Sequence, residues 1–115
     1  MKKINKKIIC FDLDGTLCSF TKGKYSKAKP NIKAISKVNK LYAEGHRIII
    51  FTSRFMGRNN ENISKAKKQG YKLTLNQLRK WNIKFHKLIM GKPSYDILID
   101  DKAFRYNKFW VKKIF

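Results

Sequence analysis

Short apolar runs alternate along this chain with stretches in which apolar residues recur every third or fourth position, and that alternation sets the predicted elements. Lys7 to Leu13 reads as a first strand, and Gly15-Thr16 permits a sharp departure from it. Cys18 to Lys29, with Gly23 and several polar residues, reads as a flap or hairpin. After Pro30, the residues Ile32, Ile35, Val38, Leu41 and Tyr42 keep helical spacing up to Glu44, and Gly45 is placed to end that helix. Arg47 to Phe51 is a buried-type strand that delivers Thr52 at its end. A loop from Ser53 to Arg58 leads into a helical stretch over Asn60 to Gln69. Gly70 is expected to break it, and Leu75, Leu78 and Trp81 fit a further short helix. Phe85 to Met90 predicts a third strand and Tyr95 to Ile99 a fourth, while the tail, Phe104 to Phe115, suits either a helix or a final strand. Strands alternating with helices predict the α/β class, a doubly wound, Rossmann-like parallel sheet with helices on both faces.

In such sheets, ligands collect outside the carboxyl ends of the strands. The predicted ends carry Asp12 and Asp14, then Thr52, then Asp100 and Asp101. Alternate residues of a strand share a face, so Asp12 and Asp14 start out aimed the same way. The two pairs hold four of the seven acidic residues in a chain of net charge +21, so surface solvation does not explain the clustering. Crowded carboxylates repel unless a cation joins them. A hard cation with oxygen ligands gives the simplest relief, and magnesium is the usual one where phosphate is handled.

Length and composition narrow the classes further. At 115 residues the chain reads as one domain, spanning 1–115, with enough apolar residues to bury a core. No apolar run approaches the roughly 18–20 residues that cross a membrane. Met1-Lys2-Lys3 is basic, but the apolar stretch that follows stops at Asp12, too short for a secretory core. Cys10 and Cys18 have neither zinc-like nor disulfide-framework spacing, so a reduced, cytoplasmic setting is expected. Lysine supplies 23 of the 28 basic residues, spread as doublets rather than one block, which reads as a solvated surface before it reads as a nucleic-acid arm.

Phe11-Asp12-Leu13-Asp14-Gly15-Thr16-Leu17 resembles the first motif of the haloacid dehalogenase-like phosphohydrolase superfamily. The others follow in the expected order: a strand ending in Thr52, Lys92 within Gly91-Lys92-Pro93, then Ile97-Leu98-Ile99-Asp100-Asp101. Through Leu41 to His46, Ile50 to Arg54 and Gly91 to Asp101, the chain is similar to small phosphatases associated with capsular polysaccharide biosynthesis. The resemblance implies Asp12 as a nucleophile that forms an aspartyl-phosphate, and Asp14 as the acid and base that serves the leaving oxygen and then the water. It implies that Thr52 meets a phosphoryl oxygen, with Ser53 the competing hydroxyl, and that Lys92 offsets charge beside Asp12. Magnesium would be held by Asp12, the Asp14 carbonyl and Asp100, with Asp101 a second ligand or the holder of a metal-bound water.

Duller readings stand beside these. Asp-x-Asp-Gly alone is a turn former, Thr52 alone a β-branched strand residue, and Lys92 one lysine among many. Arg54 reads evenly as a solvated loop residue or as a grip on a substrate phosphate. His46 and His86 lack metal-like spacing and read as structural. No segment is long enough for a large substrate-enclosing cap, so the site should be open. The function expected is a magnesium-dependent phosphomonoester hydrolase acting on a small phosphorylated substrate, a sugar phosphate, with no membrane partner and oligomeric state left open. The alternatives are a polynucleotide-end phosphatase, which the charge motivates but the motifs do not favour, and a non-catalytic phosphate-binding module.

Overall fold

The structure, a computed structural model, describes residues 5–114; the basic start at Met1 to Lys3 and the last tail residue, Phe115, lie outside them. Three strands form one parallel sheet: β1 (Ile8–Phe11), β2 (Arg47–Thr52) and β3 (Lys87–Met90), side by side in that order. Helix α1 (Ile32–Ala43) links the first two strands and α2 (Ile63–Lys80) the second and third, with a short α3 (Trp110–Lys113) near the end. The expected α/β class and parallel sheet are therefore present, and no cap domain is evident among the described residues.

Local chemistry explains where the two long helices begin. Asn31 accepts a hydrogen bond from the Ala34 amide at 3.2 Å, and Asn62 accepts one from the Lys65 amide at 3.0 Å, each satisfying an orphan donor of the first turn. Past α1, Gly45 takes φ +96, a left-handed conformation that turns the chain into β2.

Register determines what the sheet buries. Phe11 stands opposite Ile50, and Ile50 opposite Leu88, so one row of side chains runs across all three strands on a single face. Ile48 and Ile50 are fully buried there beneath Ala34, Ile35, Val38 and Leu41 of α1, Leu78 of α2 and Trp110 of α3. The Phe11 and Trp110 rings lie 5.8 Å apart. The other face carries Ile8 and Cys10, both exposed, and Ile49, Phe51 and Ile89, half-buried. The helical cover expected on both faces is thus seen, among the described residues, on one. His46 and His86 accept backbone amides from Lys7 and Ile48, each at 3.0 Å, which ties strand ends together.

Two sequence expectations are corrected. Gly70 does not break α2, which runs unbroken from Ile63 to Lys80. Its missing side chain is what lets the helix close on the sheet, because a Cβ there would overlap the Phe55 ring and sit 3.1 Å from Met90 Cε. The fourth strand, over Tyr95 to Ile99, does not form: Ile97, Leu98 and Ile99 are exposed, Ile99 to 94%. Gly91, at φ +97, turns the chain out of β3, and the Ser94 amide then donates to Glu61 Oε1 at 2.8 Å. That anchor holds Ser94 beside the loop that leads into α2. The tail resolves into a helix, α3.

Gly70→Ala tests this account. Helix propensity alone would favour alanine by about 1 kcal/mol. Overpacking against Phe55 and Met90 is expected to reverse the sign and lower unfolding free energy by about 1–3 kcal/mol. Urea titration should show that loss, whereas Lys68→Ala on the exposed face of the same helix should stay within about 0.5 kcal/mol of wild type.

Candidate active site

Each strand of the sheet hands a polar group to the same rim. β1 leads into Asp12 and Asp14, separated by Leu13, which is fully buried and fixes the loop beneath them. The amides of Thr16, Leu17 and Cys18 all donate to the Leu13 carbonyl, at 3.1, 2.8 and 3.3 Å, and Gly15 makes that curl possible at φ +83. β2 ends in Thr52, followed by Ser53 and Arg54. After β3, the Lys92 amide donates to the Thr52 carbonyl at 3.1 Å, which brings Lys92 back over the ends of the other two strands.

Asp12 and Asp14 have separate surroundings. Lys92 Nζ donates to Asp12 Oδ1 at 3.1 Å, and Thr16 Oγ1 donates to Asp12 Oδ2 at 3.3 Å. The Asp12 side chain keeps 37% of its exposure, so it is open to an incoming group, while Lys92 keeps only 15%. Burial works to lower the Lys92 pKa, but the Asp12 carboxylate, with help from Tyr95, outweighs it and leaves the ammonium above its ordinary value. Lys92 is therefore a fixed positive charge at neutral pH. Thr52 is buried, and its hydroxyl oxygen accepts the Arg54 amide at 3.2 Å.

Asp14 is held by Arg54. Nε donates to Asp14 Oδ2 at 2.8 Å and Nη2 to Oδ1 at 2.9 Å, a two-pronged pair in which the guanidinium is fully buried and the carboxylate 14% exposed. Arg54 Nη1 donates to Thr74 Oγ1 at 3.3 Å and to Gln77 Oε1, both on α2. Cys18 completes the set. Its thiol donates to Asp14 Oδ1 at 3.4 Å, and its sulfur accepts from Arg54 Nη2 at 3.8 Å. Burial first and the Asp14 charge second push that thiol up to about 12, so Cys18 stays a neutral donor.

This corrects the substrate-gripping reading of Arg54. A guanidinium has five N–H donors, and here all are directed at Asp14, Cys18, Thr74 and Gln77. Thr74 and Gln77 were not singled out by sequence reasoning, although a signal existed. Ala66, Gly70, Thr74 and Leu78 form the buried stripe of α2, and a threonine in such a stripe marks a buried polar partner. Ser53 is half-buried and opens a turn through its carbonyl, which accepts the Met56 amide at 3.0 Å.

The second acidic pair is not brought to the rim. Asp100 and Asp101 are exposed, and Asp100 accepts the Lys102 amide at 2.8 Å in a local turn. Among the described residues, no group of three or more His, Cys, Asp or Glu side chains could hold a metal ion. As placed, then, Asp12, Asp14, Asp100 and Asp101 do not fit a magnesium ion as one donor set. The repulsion between Asp12 and Asp14 is relieved instead by a lysine and an arginine.

Residues 9–76 match the haloacid dehalogenase-like hydrolase family, a span that includes Asp12, Asp14, Thr52 and Arg54. A crystal structure from Vibrio cholerae is similar over 95% of this chain and 95% of its own, at 25% identity and a TM-score of 0.79. No curated protein matches the chain. No helix among the described residues is long and apolar enough to cross a membrane. With more than half of its length matching, and with two carboxylates, a threonine and a lysine gathered at one end of a parallel sheet, this chain belongs to the haloacid dehalogenase-like hydrolases.

Proposed function

We propose that the chain is a phosphomonoester hydrolase that works through an aspartyl-phosphate on Asp12, with a small sugar phosphate as substrate. The observation that carries this reading is the contrast between the two carboxylates: Asp12 is the more exposed and faces a lysine, while Asp14 is shielded and clamped two residues away. In the first step an Asp12 oxygen bonds to phosphorus as the bond from phosphorus to the leaving oxygen breaks, and Asp14 gives that oxygen a proton. In the second, water attacks phosphorus, gives its proton to Asp14, and releases phosphate as the acyl-phosphate bond breaks. Lys92 offsets negative charge throughout, and Thr52 donates its hydroxyl to a phosphoryl oxygen. Members of this family are usually magnesium-dependent, and the same dependence is proposed here on that ground. Asp12 and the Asp14 carbonyl are the groups that would hold the ion at the rim, with Asp100 and Asp101 outside the donor set and no step assigned to a metal. An active site without a large cap suits a substrate that extends beyond the phosphate.

Asp12→Asn is expected to lower turnover of an aryl phosphate by more than about 10³-fold, since the lost group performs covalent chemistry. Its circular dichroism should match wild type. Wild-type turnover in the purified variant would exclude Asp12 as nucleophile. Exhaustive chelation should abolish wild-type activity and added magnesium restore it; activity that survives chelation would remove the metal requirement.

Substrate class is checked by ranking specificity constants across sugar phosphates and 3′-phosphorylated oligonucleotides. Sugar phosphates should rank higher. Oligonucleotide binding, driven by the +21 charge, should be weak and collapse with salt at a log–log slope near −0.7 per phosphate contacted. The opposite ranking would favour a polynucleotide-end phosphatase.

A further inference from the structure

We propose that Arg54 is a positioning residue for Asp14, which with Cys18 leaves a single atom, Oδ2, to exchange the catalytic proton. The proposal rests on the phosphatase reading above. A carboxylate offers about four lone-pair positions, two on each oxygen. Oδ1 accepts from Arg54 Nη2 at 2.9 Å and from the Cys18 thiol, whose one proton has Oδ1 at 3.4 Å as its nearer acceptor and the Leu13 carbonyl at 3.7 Å as the other, which fills both Oδ1 positions. Oδ2 accepts from Arg54 Nε at 2.8 Å and keeps one. Rotation of the carboxyl group would break the two-pronged pair, so the remaining lone pair points one way. During the first step the O–H bond on Oδ2 breaks as the leaving oxygen gains the proton. During the second, Oδ2 regains a proton from the attacking water.

Arg54 is itself held from behind. Thr74 Oγ1 and Gln77 Oε1 accept from Nη1, the Gln77 amide donates onward to the Tyr25 carbonyl at 2.7 Å, and the Tyr25 ring lies 4.9 Å from the guanidinium carbon. The loop before α1, the end of β2 and the second half of α2 therefore converge on one planar group. Lysine in its place would keep the charge but lose the fork and the Thr74 and Gln77 contacts together.

Leaving-group dependence tests the proposal. An alkyl phosphate such as a sugar phosphate needs its leaving oxygen protonated, whereas a nitrophenolate departs unaided. For Arg54→Lys, kcat on an alkyl phosphate is expected to fall roughly 10²-fold, the cost of misplacing a catalytic group. KM should change less than about threefold, because Arg54 does not touch substrate. The pre-steady-state burst of nitrophenolate should stay within about threefold of wild type.

Thr74→Val, which removes one acceptor without changing shape, guards against a folding defect in the lysine variant. It should lose a smaller factor with the same selectivity, roughly 2–10-fold in turnover of the alkyl phosphate with the nitrophenolate burst kept near wild type. A rise in KM at constant kcat would return Arg54 to substrate binding and overturn the proposal. Equal losses in burst and alkyl turnover in both variants would overturn it too, leaving Arg54 a general structural support. If wild type itself shows neither burst nor phosphate release, the phosphatase reading fails first, an outcome separate from either of these.

Discussion

The buried pair between Arg54 and Asp14 is the interaction on which the rest of the site depends. Arg54 is fully enclosed and Asp14 nearly so, and an isolated charge at such depth would be very costly. Because each satisfies the other, the β1 loop, the β2 loop and α2 must meet at one point. A buried ion pair of this kind adds little net stability compared with a well-packed apolar pair, but losing one partner alone costs about 3–5 kcal/mol. Its contribution is to select one arrangement: a helix or loop shifted by a turn would leave a charge without its counterpart.

Asp12 and Lys92 show the complementary solution. Here the carboxylate is open, and the lysine provides charge without a rigid fork, so the oxygens of Asp12 stay accessible from the rim. Two acidic residues two positions apart thus acquire different surroundings because one meets a planar, saturated partner and the other a point charge at the rim. The glycine at position 15 and the buried Leu13 between them make this divergence possible. Backbone strain accompanies it, since Phe55 sits at φ +67, an uncommon conformation for a bulky residue, directly after Arg54.

Much of this was legible in the sequence, for identifiable reasons. The strands read over Lys7 to Leu13 and Arg47 to Phe51 form over Ile8–Phe11 and Arg47–Thr52, and the spacing of Ile35, Val38 and Leu41 gives the helix it suggested, because one pattern dominated each stretch. Short motifs place Asp12, Asp14, Thr52 and Lys92 at or just past strand ends, and the sheet carries them to one rim. Gly70 misled because propensity counts a missing side chain as a defect, whereas tertiary contact with Phe55 and Met90 makes it a requirement. The Tyr95 to Ile99 run has strand composition, but its pairing is decided by where Gly91 and Glu61 send the chain, a three-dimensional matter. Arg54 was seen, but neither of its two readings made it a buried partner of Asp14, since its contacts come from residues 14, 18, 74 and 77, a set no local window contains.

The order of the strands has a colloidal consequence. Among the described residues β1 is an edge strand, and an Ile97-Leu98-Ile99 run is exposed on the same molecule. Such an edge is a template for another chain, and such a run is a strand ready to add to it. The lysine coat opposes such pairing: at net charge +21 two molecules would repel over about 10 Å in 0.1 M salt, but over only about 3 Å at 1 M. The dispersed lysines, set apart from the polar rim, would thereby act as electrostatic insulation for an edge strand, and rising salt would strip it away.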